Sequence, residues 1–175
     1  MNLANIIPPA SQLRRCLSLA VLAALCALPV AAAAPPHVGA PAPDFKIKTL
    51  DGKPLALKSF VGKPVYLDFF ASWCAPCREE TPAIIKLSKA YAKSGLVVIG
   101  LDDNESSDRA GGFRDNYKIP FPVAVADQKL LDSYGVIALP VHVFIDRKGD
   151  IKLYRLGEMS NEQIESAIKE IAASH

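Results

Sequence analysis

The chain has 175 residues, 20 Lys plus Arg against 18 Asp plus Glu, four cysteines and a half-hydrophobic composition. A formal charge of +2 leaves no basic surface to neutralise a phosphate backbone, which argues against nucleic acid as a partner. The length suits one domain with an appendage.

The appendage opens the chain. Arg14 and Arg15 precede the uncharged run Cys16–Leu28, Pro29 breaks it, and the small residues Ala31–Ala34 follow. A positive start, a short apolar run and a small-residue exit make residues 1–34 a secretory signal, with cleavage near Ala33 or Ala34. An N-terminal membrane anchor is the alternative, since Cys16–Ala34 is charge-free and close to the roughly 20 residues a span needs. Losing Arg14 and Arg15 would bring Lys plus Arg from 20 to 18, equal to the acidic residues. Losing Cys16 and Cys26 would leave Cys74 and Cys77. One closely spaced pair does not staple an exported scaffold, and about 140 residues bury a core without staples.

From residue 35 onward the pattern is a single α/β domain. After a Pro-rich leader, Phe45–Thr49 and Pro54–Leu57 flank Asp51-Gly52, a hairpin signal. Val65–Phe70 is a short apolar run interrupted only by Asp68, and reads as a strand buried on both faces. A helix follows from about Cys74 to Lys93, capped by Gly95, with a kink expected at Pro82. Leu96–Leu101 is a second buried strand, ended by the polar stretch Asp102–Asp108. A helix over Arg109–Tyr117, a strand at Pro122–Ala126 and a short helix over Gln128–Tyr134 come next. Val141–Asp146 and Ile151–Leu156 form a hairpin, and Ser160 with Gln163 makes a capping box for a last helix. That helix carries Ile164, Ala167, Ile168 and Ile171 on one face. The order implies a central mixed sheet flanked by helices.

Cys74 and Cys77 hold the chemistry. Thiols at i and i+3 opening a helix share one face and can close a small disulfide. The first feels the unsatisfied N–H groups and positive dipole end of the helix, which favour thiolate, the reacting species. Pro76 sits in the first turn, where its missing N–H costs nothing. Trp73 is placed to shield one side while leaving Cys74 open. A zinc half-site is excluded by the lack of a second cysteine pair and of any His-x₃₋₅-His spacing among His37, His142 and His175. A static disulfide fits poorly with a buried strand and a helix flanking the pair.

The stretch Tyr66–Arg78, which reads YLDFFASWCAPCR and has Pro82 beyond it, resembles the thioredoxin superfamily. Gly39–Phe45 (GAPAPDF), Asp51-Gly52, Gly62-Lys63, Phe121-Pro122 and Ile137–Gly149 (IALPVHVFIDRKG) are similar to its TlpA/ResA and peroxiredoxin-like branch. The resemblance implies a thioredoxin-like fold with an N-terminal β-hairpin and an inserted α–β segment at about Asp108–Ala126. It also implies a cis Leu139–Pro140 bond whose turn lies against the cysteine pair and docks an extended substrate segment.

Asp68, six residues before Cys74, matches the buried acid of thioredoxins and is expected to accept the proton of Cys77 through water. Glu79 and Glu80 sit early in the helix, where acids complement the dipole. Glu80 also falls where ResA-like proteins have a glutamate that influences the cysteines. His142 is expected to be a packed or hydrogen-bonded histidine at the sheet edge, with a Cu(I)-binding chaperone site of Cys74, Cys77 and His142 as the alternative. Asp102, Asp103 and Glu105 read as a solvated acidic cluster.

The expected activity is that of a cell-envelope or periplasmic protein-disulfide reductase working as a monomer. It needs no cofactor beyond the redox-active Cys74–Cys77 disulfide. Its partners are disulfide-containing envelope proteins, as in cytochrome c maturation or copper-site assembly, and a membrane electron donor. A thiol peroxidase is a further alternative, but the residues before Cys74 and Cys77 do not match the Pro-x-x-x-Thr-x-x-Cys of peroxiredoxins. A purely structural module is the remaining one.

Overall fold

The computed structural model describes residues 36–174. The signal or anchor expected over residues 1–34 lies outside the described residues.

A five-stranded sheet forms the centre, with its strands in the spatial order Val123–Ala126, Val97–Asp103, Val65–Phe70, Val141–Ile145 and Ile151–Leu156. Its middle strand β3 (Val65–Phe70) is the apolar run recognised in the sequence, and all six of its residues are buried. β3 pairs in parallel with β4 (Val97–Asp103), which pairs in parallel with β5 (Val123–Ala126). On its other side β3 pairs antiparallel with β6 (Val141–Ile145), and β6 pairs antiparallel with β7 (Ile151–Leu156). A separate hairpin joins β1 (Lys46–Lys48) to β2 (Pro54–Ala56), and Gly52 takes the positive φ that its turn requires.

Side-chain alternation along β3 and β6 divides the core between two faces. Leu67, Phe69, Val141 and Val143 pack with Phe45 and Leu55 of the hairpin region and with Leu130 and Leu131 of α3 (Gln128–Ser133). Tyr66 and Phe144, stacked at 4.4 Å, pack on the opposite face with Ile84 and Leu87 of α1 (Ala75–Ala90). Ile164, Ala167, Ile168 and Ile171 of α4 (Asn161–Ala173) complete that layer, as their spacing requires. The capping box is formed: the Ser160 hydroxyl accepts from Gln163 N–H and the Gln163 side chain accepts from Ser160 N–H.

Two of the boundaries that differ from the sequence reading have a visible cause. α1 stops at Ala90, and a short 3₁₀ turn (Ala92–Ser94) carries the chain to Gly95, whose φ is +83°. β4 runs on to Asp103 because Asp102 and Asp103 pair with Val125 and Ala126 of β5. The inserted segment is α2 (Ser107–Tyr117) followed by β5 at the sheet edge.

Candidate active site

β3 runs straight into the cysteine motif, so a strand buried along its whole length aims the reactive pair. Cys74 is the N-cap of α1, and its Sγ accepts the Cys77 N–H at 3.3 Å. Pro76 lies in the first turn. The two cysteines form a disulfide with their Cα atoms 5.3 Å apart. A helix N-terminus turned on a sulfur stabilises its thiolate when the bond opens.

The surroundings of the pair differ from expectation. Cys74 and Cys77 are only 4 % and 3 % exposed, whereas Trp73 is 60 % exposed. Cover comes from Phe70, Ala71, Val123 and Phe113 of α2, with Leu139 packed against the same cluster. Phe113 stacks on Phe70 at 4.8 Å, a contact between the inserted segment and β3 that no local pattern announces. The Leu139–Pro140 bond is cis. The Pro140 carbonyl accepts from Gly157 N–H, while the Leu139 backbone groups bond to no other group among the described residues. Ile137, beside this turn, is 85 % exposed.

Beneath the pair lies a buried polar group. Asp68 and Glu80 are each 6 % exposed, and His142 is wholly buried. Glu80 sits one turn after Cys77 on the inward face of α1, and its Oε1 accepts the Met159 N–H at 2.6 Å. Its Oε2 lies 3.3 Å from His142 Nε2, and Asp68 Oδ1 lies 3.8 Å from His142 Nδ1. The Tyr66 hydroxyl stands 2.8 Å from that same Nδ1. Burial pushes the Asp68 carboxyl up to about 6; His142 opposes the shift and Glu80 reinforces it. Burial, with Asp68 and Glu80 nearby, holds the Tyr66 phenol well above its ordinary value.

These positions correct three readings. Glu79 is exposed and no acid lies in the first turn of α1, so neither glutamate serves the dipole there. His142 is not at a sheet edge, because β7 pairs outside β6 and encloses it. The Asp102–Glu105 cluster is not simply solvated. Asp102 is fully buried and accepts the Glu105 N–H, while Glu105 accepts both the Ser72 N–H at 2.6 Å and the Ser72 hydroxyl at 2.8 Å. Burial lifts Asp102 to about 7. Burial acts the same way on Glu105, but the two Ser72 bonds, Asp102 and Arg109 outweigh it and lower the carboxyl.

Glu105 therefore ties the end of β4 to the loop that presents Cys74. Glu105→Ala leaves the Ser72 N–H without its acceptor and is expected to cost about 1–3 kcal/mol in denaturant unfolding. The alkylation rate of reduced Cys74 should change with it; an unchanged rate would make the tie purely structural.

Among the described residues no group of three or more His, Cys, Asp and Glu is placed to hold a metal ion.

Comparison with known proteins follows the same lines. Residues 38–154 match the AhpC/TSA family. A thiol-disulfide oxidoreductase ResA of Bacillus anthracis is 37 % identical over 136 residues, 77 % of this chain and 79 % of that protein. The thioredoxin-like protein YneN of Bacillus subtilis (strain 168) is 36 % identical over 132 residues, 74 % of this chain and 78 % of its own. Among solved structures, a thiol:disulfide interchange protein of the thioredoxin family from Chlorobium tepidum TLS has a TM-score of 0.72 at 28 % identity, covering 78 % of this chain and 99 % of its own. The chain belongs to the AhpC/TSA family with a thioredoxin-like fold, and it is a thiol–disulfide oxidoreductase.

Proposed function

We propose that the protein works outside the cytoplasm as a reductant of disulfides in client proteins, with Cys74 as nucleophile and Cys77 as resolving thiol. The Cys74 thiolate attacks a client disulfide, forming a mixed disulfide and releasing one client sulfur. Cys77 gives its proton to Asp68 and attacks Cys74, so the Cys74–Cys77 bond forms and the second client sulfur leaves. Two electrons pass to the client, and its two released thiolates take their protons from Asp68 and from solvent. Trp73, Pro76 and the Leu139–Pro140 turn line the approach, and the free Leu139 backbone groups suit an extended client segment. Glu80 acts on Cys77 from the next turn of α1.

The observation that carries the direction is the kind of charge beneath the pair. Asp68 and Glu80 are buried carboxyls, and no histidine lies between the cysteines. A second negative charge on sulfur is disfavoured there, so the dithiol is not held in the thiolate form that makes strong oxidants. A membrane donor would return the electrons, since the exterior lacks the cytosolic thiol pool. Residues 1–34 would export or anchor the domain, and apocytochromes c or copper-site assembly proteins fit as clients.

Equilibration of the protein with a thiol–disulfide buffer tests the direction. Strong oxidants and thioredoxin-type reductants differ by about 150 mV, roughly 7 kcal/mol. A potential near about −270 mV is expected; one near about −120 mV would make the protein an oxidant that inserts disulfides.

A further inference from the structure

The cycle above leaves the buried ring of His142 without a task. In the sheet register Asp68 faces Gly100 on β4 and His142 on β6. Of these two neighbours, only the imidazole offers Asp68 a side chain. The ring reaches two different elements. Nδ1 meets Tyr66 and Asp68 of β3, whereas Nε2 meets Glu80 of α1. Each ring nitrogen thus faces a carboxyl oxygen, Asp68 Oδ1 on one side and Glu80 Oε2 on the other, so a ring protonated on both nitrogens carries its positive charge between the two acids.

The contact with Glu80 is unfinished. Among the described residues neither Glu80 Oε2 nor His142 Nε2 completes a hydrogen bond, although they are 3.3 Å apart and both buried. Buried polar atoms left open in this way are costly, so a structural role alone does not account for them. The rest of the wall is quiet. The register partner of His142 on β7 is Arg155, which is exposed, and the face that α4 packs on this side is the apolar Ile164, Ala167 and Ile168. Among the described residues, two carboxyls, one imidazole and the Tyr66 phenol are thus the titratable groups that meet here.

We propose that His142 is a positioning residue that joins Asp68 and Glu80 into one proton-sharing unit, which takes up the proton when Cys77 resolves the mixed disulfide. The inference rests on the reading of Cys77 as the resolving thiol and Asp68 as its base. In that step the Cys77 S–H bond breaks and its proton passes to Asp68. The Cys74–Cys77 bond forms, the bond from Cys74 to the client breaks, and the client sulfur leaves with the electron pair. The imidazole between the carboxyls offsets the charge of whichever is ionised, so Asp68 ionises at lower pH than it would without the ring.

The test is the pH profile of the resolving step in the full chain, with oxidised glutathione as the disulfide. In His142→Gln the midpoint is expected to move up by about one unit, the effect of losing an opposite charge a few ångströms away. The alkylation rate of Cys74 in the reduced protein should stay unchanged. A midpoint that stays in place overturns the proposal. Asp68→Asn separates the two levels. If it flattens the profile while His142→Gln leaves the midpoint alone, Asp68 is the base and only the role of His142 falls. If Asp68→Asn retains the wild-type profile, both readings fall.

A second measurement needs no variant at His142. The chain has three histidines, so the ring nitrogen signals are few enough to assign. The His142 signals should shift when the disulfide is reduced and should shift again in Asp68→Asn. A ring indifferent to both changes would refute the coupling.

Discussion

Replacing Cys74 by serine is expected to lower client-disulfide reduction on the order of 10³-fold or more, the scale seen when a covalent nucleophile is lost. The fold should survive the change. Cys74 is the N-cap of α1, and serine is among the preferred N-cap residues, so the hydroxyl can accept the Cys77 N–H in place of sulfur. An unchanged unfolding midpoint beside a vanished rate would isolate the chemistry from the scaffold. Cys77→Ser should behave differently. The first attack still occurs, but nothing resolves it, so the client accumulates in a one-to-one covalent complex visible on a non-reducing gel. Should Cys74→Ser trap the client and Cys77→Ser stay inert, the two roles would have to be exchanged.

How much of this was legible before any coordinates depends on how local each signal is. β3 is a run of apolar residues ended by the motif, and α4 has an apolar stripe preceded by its own capping box, so both could be read from a dozen neighbouring residues. The cysteine pair was legible for the same reason. The cis bond before Pro140 was not; it came from the family resemblance alone. The buried acids of β4 were misread because the end of that strand is set by its pairing with β5, some twenty residues further on. Only that pairing carries Asp102 inside and brings Glu105 to Ser72, 33 positions away. The contact between Tyr66 and His142 spans 76 positions and depends on β3 and β6 being neighbours in the sheet. Gly100 shows the same limit. A Cβ there would stand 3.1 Å from the Phe70 ring, so the glycine leaves room for an aromatic that itself stacks on α2. Single-residue patterns announce which face is buried; they do not announce which buried groups meet.

Asp68 is a buried acid whose ionisation works against the fold. Its carboxyl is raised from 3.8 to about 6 in the folded protein. A carboxyl that binds its proton more tightly folded than unfolded favours the fold while protonated. That advantage is complete below pH 4 and is lost as pH rises through 6. About two pKa units at 1.36 kcal/mol each put the loss at roughly 3 kcal/mol. Asp68→Asn, close in shape and always neutral, escapes the loss. The oxidised variant is therefore expected to be about 3 kcal/mol more stable than the parent in urea at pH 8 and no more stable near pH 4. Equal stability at pH 8 would mean that the buried group does not carry the charge assigned to it. A gain at pH 8 together with a slower resolving step would place Asp68 where stability and exchange pull in opposite directions. A scaffold selected for stability alone would carry the amide at this position; the acid is what the proposed transfer of the Cys77 proton requires.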